Sequence, residues 1–242
     1  MRPTLVTAHR GSSGSAPENT LVALRQAITD EADMAEVDVQ ATADGELVLF
    51  HDQDLVRTTG DARTLWQVSY SDLASLDAGR WFGTQFGGEP IPRLRDAMLQ
   101  VSGRLQLNLE LKSYNPSQSF RNRLAHLVIE QVRACEFEAA CILTSFDHEL
   151  LWQLRQQAPA FTLGLIQAAP PETIEDWVDV YSLWANCATP ELVRQLQAQQ
   201  KSVHLWTVND PEQMQRLLSW GVDSLITNYP RRLRQIVAAA GR

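Results

Sequence analysis

Five short stretches of this 242-residue chain carry side chains able to do acid–base or ionic chemistry. They are His9-Arg10, Glu36-Val37-Asp38, His51-Asp52, Glu110-Leu111-Lys112, and Asn209-Asp210 shortly after Trp206. In a β-strand, residues i and i+2 share a face, so Glu36 and Asp38 project together while Val37 faces away. Glu110 and Lys112 are paired in the same way. Two like charges buried side by side repel, and one of them normally takes up a proton. A divalent cation removes that repulsion, with Glu110 as the natural third ligand. An all-oxygen donor set suits a hard ion, Mg2+, Ca2+ or Mn2+, better than zinc. The alternative is that each acid pairs with an arginine at a strand end, as in ordinary ionic networks.

His9 and His51 end strand-like runs beside other polar groups. His126 falls in an amphipathic stretch, His148 follows Asp147 at a helix start, and His204 sits mid-strand on the face of Trp206. Exposure, capping and a core or rim position are the expected roles of these three. An imidazole near pKa 6.5 serves as base in one protonation state and as acid in the other. Two of them flanking a cation suit in-line displacement at phosphorus. Three carboxylates, one divalent ion, Arg10 and Lys112 leave one net positive charge, which a phosphodiester monoanion would neutralise. Arg10 offers a bidentate fork for phosphate oxygens and Lys112 a point charge.

These residues need a scaffold that gathers strand ends. Strands are expected at Leu5 to His9, Met34 to Ala41, Glu46 to His51, Leu105 to Lys112, Cys141 to Ser145, Phe161 to Ile166, Val180 to Trp184, Ser202 to Val208 and Ser224 to Thr227. Most are separated by enough chain for one helix, the rhythm of βα units. Asp210-Pro211-Glu212-Gln213 supplies an N-cap, a proline at N1 and a capping-box glutamine, and Thr189-Pro190-Glu191 repeats the first two. Gly221 offers a helix stop. Leu124, Leu127, Val128 and Val132 build one apolar helical face. A (β/α)8 barrel takes about 250 residues, so one TIM-type barrel spanning residues 1–242 is expected. Its active face lies at the carboxyl ends of the strands.

Two stretches break the alternation. Asp44-Gly45 joins two strands too closely for a crossover and predicts an antiparallel hairpin. Mirrored about that turn, Glu36 falls opposite His51, which favours His51 as base and His9 as acid. The second break is an insertion, about residues 55–92, dotted with glycines and with Trp66, Trp81, Phe82 and Phe86. It reads either as a lid over the barrel mouth or as a packed surface loop.

A net charge of −8, from 29 acidic and 21 basic residues, disfavours a nucleic-acid groove. No run approaches the roughly 18 apolar residues of a membrane span. Met1-Arg2-Pro3-Thr4 lacks signal-peptide form. Cys135, Cys141 and Cys187 cannot all pair and lie in no CxxC motif, so we expect reduced thiols and a cytoplasmic protein.

The ordered set His9-Arg10-Gly11, Pro17-Glu18-Asn19-Thr20, Glu36-x-Asp38, His51-Asp52, Glu110-Leu111-Lys112 and Trp206-Thr207-Val208-Asn209 resembles the glycerophosphodiester phosphodiesterase family. Leu76-Asp77-Ala78-Gly79, Trp81-Phe82, Ile91-Pro92, Ser145-Phe146-Asp147 and Ile226-Thr227 extend the likeness along nearly the whole chain. The resemblance implies a TIM barrel that hydrolyses glycerophosphodiesters to sn-glycerol 3-phosphate and an alcohol, in phospholipid-derived glycerol metabolism. It implies Glu36, Asp38 and Glu110 as ligands of one divalent cation, Mg2+ or Ca2+ with Mn2+ as a further option. His9 and His51 would be the acid–base pair. Arg10 and Lys112 would bind phosphate, Asn19 would lie near it, and Trp206 would wall the glycerol pocket. The implied mechanism has the neighbouring glycerol hydroxyl attack first, giving a cyclic phosphate that water opens. Asn228 stands where the family often has aspartate, and Ser224 where glycine is frequent. Phosphoinositide-specific phospholipases C and sphingomyelinase D-like enzymes share the two-histidine plan, but the insertion and the Pro-Glu-Asn-Thr segment favour the glycerophosphodiesterase. A glycerophosphate-binding protein without catalysis would not need both an acid and a base.

Overall fold

Alternating apolar residues make strands here, and the strands close on themselves. The computed structural model describes residues 3–115 and 117–240; Met1 and Arg2, part of the N-terminal signal-peptide reading, lie outside the described residues. The strands are β1 (Leu5–His9), β2 (Met34–Ala41), β3 (Leu47–Leu49), β4 (Gln106–Leu111), β5 (Cys141–Ser145), β6 (Leu163–Gln167), β7 (Val180–Trp184), β8 (Ser202–Trp206) and β9 (Ser224–Thr227). The sheet order is β1-β9-β8-β7-β6-β5-β4-β2, and β1 pairs in parallel with β2 to close the ring. Eight parallel strands therefore form a TIM-type barrel, with β3 added antiparallel to β2.

Between them run helices α1 (Leu21–Thr29), α2 (Val56–Thr59), α3 (Tyr70–Leu73), α4 (Leu94–Val101), α5 (Gln118–Ala134), α6 (His148–Gln157), α7 (Pro190–Ala198), α8 (Pro211–Ser219) and α9 (Pro230–Ala239). Leu124, Val128 and Val132 bury one face of α5 in the main core, which also takes in the outward-facing leucines of β4, Leu107, Leu109 and Leu111. Burying each such side chain contributes roughly 1.5–3 kcal/mol. Thr189 and Asp210 cap α7 and α8 by accepting from the backbone N–H of Leu192 and Gln213. Gln213 does not close the expected capping box; its side-chain amide donates to Asn186 Oδ1 instead (3.2 Å). The β6–β7 connection holds no helix. Its Trp177 packs edge-on against Trp152 of α6, the ring centres 5.3 Å apart, and covers the barrel there.

The hairpin forms with a register different from the one expected. Val39 pairs with Leu49, Gln40 with Val48 and Ala41 with Leu47, a frame that sets Glu36 across from Asp52 rather than His51. The cause is a three-residue loop: Gly45 N–H bonds Thr42 O, Thr42 N–H bonds Glu46 O, and Gly45 takes φ 90°, a conformation favouring glycine. β1 pairs with β2 only as far as His9↔Glu36, and β3 takes over the same edge of β2 from Val39 onward.

The insertion has its own small core of Val48, Phe50, Leu55, Leu65, Val68, Leu73, Ala78 and Ile91. Among the described residues no helix is long and apolar enough to cross a membrane. The three cysteines form no disulfide.

Candidate active site

Strand parity and the ladder of β2 with β4 bring the acids together. Asp38 is the ladder partner of Glu110, and Glu36 lies two residues below Asp38 on the same inward face. One oxygen of each of Glu36, Asp38 and Glu110 falls within 4.8 Å of the others. Glu36 Oε1 is buried without a hydrogen-bond partner, the condition of a ligand atom awaiting a cation. The donor set is three carboxylates, which suits a hard divalent ion.

Two cations already hold part of this charge. Lys112 Nζ sits 2.9 Å from Asp38 Oδ1 and pairs with Glu110, while Arg10 Nε lies 3.2 Å from Asp38 Oδ2. Arg10 backbone N–H donates to Glu36 Oε2 (3.0 Å). Burial opposes ionisation of all three acids, but the outcome differs. At Asp38, Lys112 and Arg10 overcome burial and hold the carboxyl below its ordinary range. Burial, reinforced by the neighbouring carboxylates, pushes Glu36 well up, and Glu110 is raised by burial and Asp38. The electrostatic strain of the cluster thus resides in Glu36 and Glu110.

His9 ends β1, and the chain then turns sharply. A Cβ on Gly11 would meet the Ala23 backbone at 2.7 Å, so α1 can pack under this turn only if the residue is glycine. His9 Nδ1–H donates to Asn228 Oδ1 (2.7 Å), leaving Nε2 toward the cavity, 3.8 Å from Glu36 Oε2. Burial, with help from the Arg10 charge, lowers its pKa to about 4. His51 follows β3, and its Nδ1–H donates to Asp52 Oδ1 (2.7 Å). Arg57 of α2 donates through Nε to Asp52 Oδ2 (2.6 Å) and through its terminal nitrogens to Glu18, which also accepts from Arg10. A chain of alternating charge therefore connects His51 to Arg10. Gln40 donates to the carbonyls of Phe50 and Asp52, both at 2.8 Å, and fixes the path that carries His51 inward.

These groups border a cavity of about 180 Å³ at the carboxyl end of the barrel, lined on this side by His9, Arg10, Glu36, His51, Glu110 and Lys112. Asn108, Phe146, Ile166, Ser182, Trp206 and Ile226 close the other side and the floor. Trp206 is held by its Nε1–H on Ser182 O (3.0 Å) and meets Phe146 edge to face at 5.8 Å. Asn19, expected near the phosphate, is buried against Asp38, donating to its Oδ2 (2.7 Å) and accepting from its N–H (3.1 Å). The insertion's aromatics do not line the cavity: Trp81 packs on Phe82 and receives the Arg57 guanidinium over its ring at 5.5 Å.

Sequence reasoning gave no site role to Asn228, Arg57, Asn108 or Phe146. Asn108 was within reach, since it precedes Glu110 by two residues and must share its face. Asn228 and Arg57 matter only through contacts made in the folded chain. His204 is buried within the barrel wall and does not line the cavity. His126 is exposed on α5, and His148 lies 3.7 Å from Glu175.

The chain is similar to proteins of one family along nearly its whole length. A glycerophosphodiester phosphodiesterase of Caldanaerobacter subterraneus subsp. tengcongensis is 34% identical, over 98% of this chain and 99% of its own. One from Bacillus altitudinis is 31% identical, over 96% and 98%. Among solved structures, an Oleispira antarctica phosphodiesterase in complex with the product sn-glycerol-3-phosphate superposes with a TM-score of 0.89 at 28% identity, covering 98% of this chain and 97% of that one. A glycerophosphodiester phosphodiesterase from Agrobacterium tumefaciens gives 0.82 at 26%, covering 96% and 99%. The model of the glycerophosphoryl diester phosphodiesterase family matches residues 9–232, and the chain belongs to that family.

Proposed function

We propose that this protein hydrolyses glycerophosphodiesters to sn-glycerol 3-phosphate and an alcohol, with residues 1–242 acting as one catalytic unit. The observation that carries this is the convergence of two imidazole Nε2 atoms, three carboxylates and two cationic side chains on one cavity. The product complex of the Oleispira relative supports glycerol phosphate as the product here. Glu36, Asp38 and Glu110 would hold Mg2+, Ca2+ or Mn2+, which supplies Lewis acidity and charge neutralisation when bound. Arg10 and Lys112 bind and orient the phosphate oxygens.

The order of proton transfers follows from the partners of the two rings. His9 has a neutral amide on Nδ1 and a lowered pKa, so its Nε2 stays unprotonated and accepts the proton of the glycerol hydroxyl next to the phosphoester. His51, whose ring is oriented by its Nδ1–H on the Asp52 carboxylate, takes the complementary role and protonates the departing alcohol through Nε2. Water then opens the cyclic phosphate as the two rings exchange roles. This reverses the order expected from the hairpin, because Glu36 approaches His9 and not His51. The glycerol 3-phosphate released would enter phospholipid-derived glycerol metabolism.

The test is release of glycerol 3-phosphate from glycerophosphocholine. His9→Ala and His51→Ala should each cost about 100-fold or more, without additivity. A nitrophenyl diester, whose leaving oxygen needs little protonation, should rescue the His51 variant and not the His9 variant. Rescue of the His9 variant alone would restore the opposite order. Full turnover after exhaustive treatment with EDTA would eliminate the cation.

A further inference from the structure

Asn108 lies two residues before Glu110 on the inward face of β4, one strand repeat or about 6.6 Å deeper in the barrel. Its side chain is only 1% exposed yet lines the cavity. Thr144 of β5, itself buried, donates through Oγ1 to Asn108 Oδ1 (2.6 Å) and fixes the carboxamide. The Nδ2 atom has no hydrogen-bond partner. A buried amide N–H left unpaired is costly, so folded proteins keep one where water, an ion or a ligand completes it. Nothing in the proton transfers or the phosphate contacts uses this group.

The chemistry of the position selects the ligand. The group is neutral, and Arg10 and Lys112 above it already provide for the phosphate charge. Glu36, the ladder partner of Asn108, is committed to the proposed cation and leaves the amide to a ligand. Ile166 and Ile226 make the rest of this floor apolar beside Ser182. A hydroxyl on a short carbon chain fits such a floor, since its oxygen accepts from an amide N–H. With the phosphate at the level of Glu110, a three-carbon chain running downward places its far oxygen at the depth of Asn108.

We propose that Asn108, braced by Thr144, recognises the terminal hydroxyl of the substrate's glycerol moiety. The floor of the barrel is thus a hydroxyl subsite that selects glycerol diesters over diesters of shorter or deoxygenated polyols. This inference rests on the hydrolytic function proposed above. The vicinal hydroxyl remains with His9, and Asn108 acts only in selection.

The experiment compares glycerophosphocholine with 2-hydroxypropyl phosphocholine, which keeps the attacking hydroxyl and lacks the terminal one. The unaltered protein, supplied with Mg2+, should favour the glycerol diester by about 10- to 100-fold in kcat/KM, the scale of one buried hydrogen bond. Asn108→Ala should lose that factor on the glycerol diester and remain nearly unchanged on the deoxy diester, abolishing the preference. Equal kcat/KM of the unaltered protein for both diesters overturns the subsite alone. So does a parallel fall on both in the variant, which would mean that Asn108 serves a structural water or the acids. No turnover of either diester by the unaltered protein overturns the hydrolytic function itself, and the subsite with it. Should the variant fail to fold, inhibition of the unaltered protein decides: glycerol 3-phosphate should bind about 10- to 100-fold tighter than 2-hydroxypropyl phosphate, and equal inhibition overturns the proposal.

Discussion

The two sides of the barrel mouth are built on different principles. On the side of β1, β2, β3 and β4 the mouth is lined by ionisable groups held by ion pairs and hydrogen bonds. Asp38 alone meets Lys112, Arg10 and Asn19. On the side of β5 to β9 the mouth is aromatic: Phe146 is 52% exposed and Trp184 43%, with Trp206 between the cavity and solvent. The first side would hold an ion and a phosphate in fixed geometry, which demands over-determined positions. The second needs only to present apolar surface. Rigidity is therefore concentrated where charge is handled.

The largest expected effect breaks the charged side. Glu36→Gln should reduce kcat/KM at least about 100-fold by removing a proposed ligand, yet raise the melting temperature of chelated protein by a few degrees. Glu36 has a folded-state pKa above its unfolded value, so its contribution is fully present below the unfolded pKa and is lost as pH rises. At pH 7 the cation-free fold bears that loss and the glutamine does not. The stabilisation should shrink as pH falls toward the ordinary carboxylate range. Calorimetry with and without EDTA checks both signs, and a lower melting temperature for the chelated variant would show that Glu36 is not the strained member.

The next effect belongs to the opposite side. His204 of β8 is buried, and burial lowers its pKa from 6.5 to about 4. Above pH 6.5 both folded and unfolded chains hold it neutral. Between pH 6.5 and 4 only the unfolded chain takes the proton, so stability falls as pH falls, by roughly 3 kcal/mol in all. His204→Leu should remove that share of the acid sensitivity in urea melts across this window. An unchanged pH profile would show that the imidazole finds a proton-accepting partner on protonation.

The smallest effect tests the network joining the two sides of the histidine pair. Arg57→Ala should lower kcat roughly 10-fold, the low end for a group that orients a reacting residue, with KM little changed. Arg57→Lys should recover only part, because one ammonium cannot bridge Asp52 and Glu18 as the guanidinium fork does. A KM effect with unchanged kcat would assign Arg57 to substrate binding instead.

The same contrast explains what the sequence revealed. Strand positions were legible because alternation and apolar runs are local, and all nine expected strands are present. The acids were legible because Glu36-x-Asp38 and Glu110 obey strand parity. The hairpin register was not, since one additional loop residue at Gly45 shifts every pairing and the turn signal Asp-Gly does not count loop residues. The missing β6–β7 helix was equally hidden, because Trp177 replaces it by packing on α6. The two bonds of Asn19 to Asp38 were hidden as well, because motif order does not say which side chains meet. The partners of the two histidines divide in the same way. Asp52 adjoins His51 in sequence, whereas Asn228, 219 residues from His9, is marked only by standing where the family often has aspartate.

That distant bond affects how activity appears as the chain assembles. Every proposed proton carrier and ion ligand has been synthesised once Lys112 leaves the ribosome, yet β1 has only one of its two barrel neighbours until β9 arrives. Joining ends so far apart is entropically slow and comes late in folding. Until then His9 lacks the carboxamide that turns its ring, and the half-built sheet exposes an open edge that invites association with other chains. A nascent or C-terminally nicked chain can thus carry all its reactive groups and remain inert, so turnover reports that the last strand has docked.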